Sequence, residues 1–157
     1  MDKNQFKSFC KREFEERGFK NIKNIFYLLG QDLLCGIYLQ KSNYGNTYYI
    51  NYDYFIGIYT NFSVLPTRAE SDISGRFLAM SKRQTVQGKT FMTTMIEYEE
   101  YTEDELRPLF DIEFQEKILP PIYQGKKYIF ENLNKLYFLG LNQEEVMFKL
   151  QNNTVDG

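Results

Sequence analysis

The sequence predicts an α+β fold: an antiparallel meander sheet with an N-terminal helix and C-terminal helices packed on one face. Three observations carry that expectation. Phe6, Phe9, Cys10 and Phe14 recur at helical spacing near the amino terminus; three segments rich in Ile, Leu, Tyr and Phe follow, separated by polar turns; beyond residue 100 the pattern returns to a helical period with capping signals.

Residues 4–17 read as an amphipathic helix, with Lys3, Lys7, Lys11 and Glu15 on another face and Gly18 as its stop. Residues 24–30, 33–41 and 47–59 read as the strands of a meander, divided by Gly30-Gln31-Asp32 and by Ser42-Asn43-Tyr44-Gly45-Asn46. In the third strand Tyr48, Ile50, Tyr52, Tyr54, Ile56 and Ile58 share the face expected to be core. Tyr49, Asn51, Asp53, Phe55, Gly57 and Tyr59 share the other. After a polar connection from Asn61 to Ser74, residues 75–81 and 89–98 are expected to add strands. Gln87-Gly88 makes the turn before the second of these, and Met92, Thr94, Ile96 and Tyr98 share one of its faces.

Thr102 and Glu105 have capping-box spacing, but Pro108 would sit deep in a helix begun there. The expectation is therefore a short turn, then a helix from Arg107 to Leu119 stopped by Pro120-Pro121. Further helices are expected over 126–138 and, capped by Asn142 with Glu145, through Leu150.

With 157 residues, 43% hydrophobic and 25% charged, the chain reads as one globular domain over 1–157, large enough to bury a core without staples. Its aromatic content is unusual: 13 Tyr and 14 Phe without Trp, the tyrosines crowded between Tyr38 and Tyr59. Such rings suit a sheet with one apolar and one wetter face; a Tyr-lined binding surface is the alternative.

Histidine is absent, which excludes Ser-His-Asp and Cys-His catalysis and imidazole-ligated zinc or haem. Cys10 and Cys35 are too few for a thiolate zinc site and read as small buried hydrophobes in a reducing compartment. No catalytic residue, metal or cofactor is expected. The amino terminus has no apolar signal-like core, and no apolar run reaches the roughly 18 residues that span a bilayer. A cytoplasmic location without membrane attachment is the expectation.

Charge is unevenly spread around a net of -2. Between Glu97 and Glu116 nine acids face the single basic Arg107, whereas the first 23 residues hold seven Lys or Arg against four acids. Glu99, Glu100, Glu103 and Glu105 are the candidate contacts for a basic protein partner. A solvated acidic surface accounts for the same residues, and no spacing in the run matches an EF-hand or a catalytic carboxylate pair. Arg68, Arg76, Lys82, Arg83 and Lys89 give the middle of the chain a mild positive balance, but a pI of about 5.3 argues against nucleic-acid binding. Gly88-Lys89-Thr90 ends like a phosphate-binding loop, yet Arg83 stands where its first glycine belongs, so it reads as a surface turn.

Asn51 and Asp53 are poor strand formers on the less apolar face of a Tyr-rich strand. With Tyr49 and Arg76 they are the candidate ligand-binding residues, Arg76 gripping an anionic group through its planar fork. Edge-strand solubility is the competing explanation.

Gly18-Phe19-Lys20 after the first helix, Leu39-Gln40-Lys41-Ser42-Asn43-Tyr44-Gly45-Asn46 leading into Tyr48-Tyr49-Ile50-Asn51, and Glu70-Ser71-Asp72-Ile73-Ser74-Gly75-Arg76 resemble an uncharacterised bacterial family, domain of unknown function 4304. The similarity covers residues 5–80. It implies a compact α+β domain in bacterial cytoplasm and brings no assigned activity or catalytic residue. Two readings of function stay open: a non-enzymatic binding module, of the immunity type that neutralises a partner toxin, working through the acidic and aromatic surface; or a small-molecule binder or weak enzyme using Tyr49, Asn51, Asp53 and Arg76 as a pocket.

Overall fold

The computed structural model describes residues 1–82, 88–134 and 143–152. Helix α1, Lys3–Glu16, opens on a capping box in which Asp2 accepts from the Gln5 N–H at 2.8 Å and the Gln5 side chain accepts from the Asp2 N–H at 2.9 Å. Its buried residues include Phe6, Phe9, Cys10 and Phe14, the stripe expected from the sequence.

Strands β1, Lys20–Ile22, and β2, Ile25–Leu29, form a hairpin; β2 is the expected strand 24–30, and β1 is an addition that the residue pattern does not announce. Lys23 and Asn24 both take positive φ, 53° and 69°, as a two-residue turn of primed type requires, and Asn is one of the few residues to tolerate it. Strands β3, Leu33–Lys41, and β4, Thr47–Ile56, follow as a long antiparallel pair. Strand β5, Ile73–Arg76, borders β4, so the sheet runs β1-β2-β3-β4-β5 and the expected meander is its body.

The expected strands 75–81 and 89–98 are each broken. The first becomes β5 plus β6, Ala79–Met80; the second becomes β7, Met92–Thr93, and β8, Ile96–Glu97. β6 pairs with β7 as a separate ribbon, while β8 joins β4 at Thr47 and Tyr48, above the stretch that β5 occupies. Phe77 marks the break: it leaves the strand to join Phe14, Phe110 and Phe114, with ring centres 5.2–6.3 Å apart. Gln87 and Arg83 lie outside the described residues; Gly88, Lys89 and Thr90 are exposed.

Helix α2, Glu103–Glu113, starts at Thr102, whose hydroxyl accepts from the Glu105 N–H, and passes through Pro108. The expectation of a start at Arg107 is corrected. The carbonyl that Pro108 deprives of a donor is that of Asp104, an exposed residue in the first turn of the helix. The cap and the packing of Leu106 and Phe110 outweigh the lost bond.

Pro120-Pro121 does not stop the helical path either. Leu106, Phe110, Phe114, Ile118 and Ile122 are all buried at a strict spacing of four, which a helix of about 3.6 residues per turn carries steadily off one face. A wider π turn over Phe114–Ile118 corrects the drift, with the Leu119 N–H reaching Phe114 O. The two prolines then fall in the first turn of α3, Leu119–Gln124, where their missing N–H groups are least costly.

Gly125, at φ +87°, turns the chain into α4, Lys126–Glu131. This helix is shorter than the expected 126–138, of which 135–138 lie outside the described residues, as does Asn142. The last helix, α5, is Gln143–Gln151. It is fastened by Lys149, whose Nζ donates to Asp72 Oδ1 at 2.9 Å while Asp72 Oδ2 accepts from the Ile56 N–H at 2.7 Å. Buried Lys126 donates to the Lys149 carbonyl at 2.9 Å and to that of Asn152.

One face of the sheet carries the main core, where Tyr48, Ile50, Tyr52, Tyr54 and Ile56 meet α1, α2 and the later helices. Ile58, expected among them, lies past the strand end and is exposed. The reverse face has a small apolar cluster of Tyr27, Leu34 and Phe55 under the connection bearing Tyr59, Phe62 and Leu65. Cys10 and Cys35 are both buried thiols, and burial pushes their pKa values up.

Candidate functional site

Partners in an antiparallel register point to the same side of the sheet, so pairing alone assembles the reverse face in rows. Lys20, Tyr27, Gly36, Asp53 and Ser74 form one row across the five strands. Tyr38, Asn51 and Arg76 form the next, and Gln40 with Tyr49 a third. The apolar connection covers only the Tyr27 end; Gln40 and Arg76 are exposed and Tyr38 and Tyr49 half-buried.

Three of the four candidate ligand residues come together here. The Arg76 guanidinium lies over the Tyr49 ring, 4.0 Å from its centre, and its Nε donates to Asn51 Oδ1 at 2.8 Å. Asn51 in turn donates to Gln40 Oε1 at 2.7 Å, and an Arg76 terminal nitrogen approaches the same oxygen at 3.4 Å. Asn51 is therefore buried because its amide is committed on both sides, which explains a poor strand former in a central strand.

Asp53 sits one pair further along, buried, accepting from Ser74 Oγ at 2.5 Å. Burial pushes its carboxyl upward, while hydrogen bonds from Ser74 and Ser71 and the charge of Arg68 pull it partly back. Gly36 opposite leaves room for the Tyr27 ring, which a Cβ there would approach to 3.3 Å. The Tyr27 hydroxyl is raised by burial first and by the Asp53 charge second.

Sequence reasoning missed Arg68, Tyr38 and Gln40. Arg68 lies in a short 3-10 turn, Arg68–Glu70, and its guanidinium covers the Tyr38 ring at 4.2 Å. The signal was the hairpin register: pairing Lys41 with Tyr48 places Gln40 beside Tyr49 and Tyr38 beside Asn51.

The acidic run meets a different fate. Glu103 pairs with Arg12 and lies 3.8 Å from Arg107, Asp104 pairs with Arg107 at 3.0 Å, and Asp111 pairs with Arg17. Glu105 caps its own helix and pairs with Lys82. The basic amino-terminal helix and the acidic segment are thus complementary faces of one contact, which accounts for the charge asymmetry in the sequence. Glu99 accepts from Asn46 at 2.6 Å, and Glu100 is exposed beside a shallow cleft between the β6–β7 ribbon and Tyr101. None of Tyr49, Asn51, Asp53 and Arg76 lines that cleft. Among the described residues no group of three His, Cys, Asp or Glu converges as metal ligands, and no helix is long and apolar enough to cross a membrane.

An antiparallel sheet with helices on one face and a polar, arginine-bearing reverse face defines an α+β fold. The model of the family described as Domain of unknown function (DUF4304) matches residues 11–122, and the chain belongs to that family. No curated protein and no solved structure matches it.

Proposed function

We propose that this is a non-enzymatic binding module that holds an anionic group on the open reverse face of its sheet. The observation that supports this reading is the fixing of Arg76, stacked on Tyr49 and hydrogen-bonded to Asn51, so that a permanently charged planar donor is ordered before any ligand arrives. Tyr49, Asn51 and Arg76 make the grip, and Asp53 with Ser74 stiffens the adjoining row. Titration calorimetry with phosphate and sulfate at low ionic strength tests it. Saturable binding should weaken about tenfold or more in Arg76→Gln, whose circular dichroism stays unchanged. Equal binding by the variant would discard the reading.

A second reading, an immunity-type protein neutralising a basic partner, draws support from Glu99 and Glu100, which stay exposed while Glu103 and Glu105 are engaged within the chain. Its test is capture of a basic protein that is lost on changing Glu99 and Glu100 to Gln and on raising salt. A reducing, cytoplasmic setting belongs to either reading and draws support from the unpaired thiols of Cys10 and Cys35.

A further inference from the structure

We infer that the ligand of this face is single-stranded nucleic acid, held by two arginine-on-tyrosine platforms, Arg68 on Tyr38 and Arg76 on Tyr49. The inference rests on the anion-binding reading above and adds a second anchor and a ligand class to it.

The two platforms are neighbours. Tyr38 pairs with Asn51, so Tyr49, two residues earlier on β4, is its diagonal neighbour, at a separation of about 7–8 Å. Both guanidinium carbons lie over rings, 4.2 and 4.0 Å from the centres, and both arginines are exposed. A planar cation in this posture offers N–H groups at its rim to a phosphate and its open face to a base. The spacing is too wide for one anion to bridge and suits successive phosphates of an extended strand.

Shape points the same way. The face is a sheet surface, and its Arg and Tyr residues do not line the cleft near Tyr101. Small molecules favour enclosed pockets, whereas a single strand lies across open grooves and faces and brings its own stacking surface.

The acidic pI, which argued against nucleic acid, averages over two sides of the molecule. Glu103, Asp104 and Asp111 belong to α2, which packs on the opposite sheet face and meets Arg12, Arg17 and Arg107 there. On the reverse face Asp53 is buried and hydrogen-bonded to Ser74, and Glu70, two residues from Arg68, is engaged by the Thr67 N–H of its own turn, while Arg68, Arg76 and Lys20 are exposed cations.

The test is fluorescence anisotropy with a labelled oligouridylate of about eight nucleotides, a length within single-strand site sizes, across a salt series. Uridine monophosphate and a glutamate peptide of similar charge serve as competitors. The expected result is binding with a log-log salt slope of about −1.4, two phosphate contacts at about −0.7 each. Arg68→Gln and Arg76→Gln should each weaken binding about tenfold and shallow the slope by about 0.7. Both side chains are exposed, so both variants should keep the wild-type circular dichroism, with Arg76→Gln melting slightly lower because it releases the Asn51 oxygen.

An oligomer that binds no tighter than the monophosphate, or an Arg68→Gln variant that binds normally, would overturn the inference while leaving a single-anion site at Arg76 standing. Competition by the glutamate peptide at equal strength would also overturn it, in favour of an acidic protein segment. If phosphate, monophosphate and oligomer all fail to bind, this inference and the anion-binding reading fall together.

Discussion

The Tyr54 hydroxyl donates to the Ile118 carbonyl at 2.9 Å and lies 3.2 Å from the carbonyl of Lys117, where the helical path passes through its π turn. Pro121 has no N–H to offer the Lys117 carbonyl four residues back. The sheet thus supplies a donor that the helix lacks, and the pairing fixes the helical layer against the centre of β4.

Tyr54→Phe keeps the ring and removes only the donor that reaches the Ile118 and Lys117 carbonyls. We expect a loss of about 1–3 kcal/mol in the free energy of unfolding, measured by urea titration. A loss no larger than that of an exposed Tyr123→Phe control would contradict this account of the π turn.

Gly75 faces the core between Ser74 and Arg76, and a Cβ there would fall 2.4 Å from the Tyr52 ring. Gly75→Ala must displace a buried ring or bend β5. The expected destabilisation is about 1–3 kcal/mol, with weakened amide-exchange protection in β5. Tyr52→Leu in the same chain should recover part of it by vacating the space.

Asp53 gives a pH signature. Burial raises its carboxyl in the folded state, so as pH rises the unfolded chain ionises first. Its contribution to stability is full below the unfolded value of about 3.9 and is lost as pH climbs through the raised folded value. Asp53→Asn removes this titration and keeps an oxygen to accept from Ser74. The stability of the variant relative to wild type should rise with pH through that window and level off above it; urea midpoints at a series of pH values would show the reverse trend if the Arg68 attraction outweighed burial.

Much of the fold was legible because it depends on local period. The α1 stripe of Phe6, Phe9, Cys10 and Phe14 and the alternation of Tyr48 to Ile56 each declare one buried face. The errors cluster where a local rule met a stronger tertiary one. Pro108 and Pro120-Pro121 read as breaks because proline withholds a donor, yet the carbonyl affected by Pro108 belongs to exposed Asp104 and the Tyr54 hydroxyl reaches the carbonyl affected by Pro121. The candidate site divides in the same way. Asn51 and Asp53 stood out as polar residues in an apolar strand, whereas Arg68 showed only as part of a mild positive balance, since only the return of a loop sets it over Tyr38.

By itself the sequence determined the class of fold, the core face of β4, and the exclusion of histidine-based chemistry, because periodicity and composition are properties of the chain read one residue after another. The tertiary structure alone decided that the acidic run would be met by the protein's own arginines and that Arg68 and Arg76 would share the opposite side of the sheet. Charges distant in sequence attract or cooperate only once folding has brought them within a few ångströms, and no spacing rule along the chain encodes that distance.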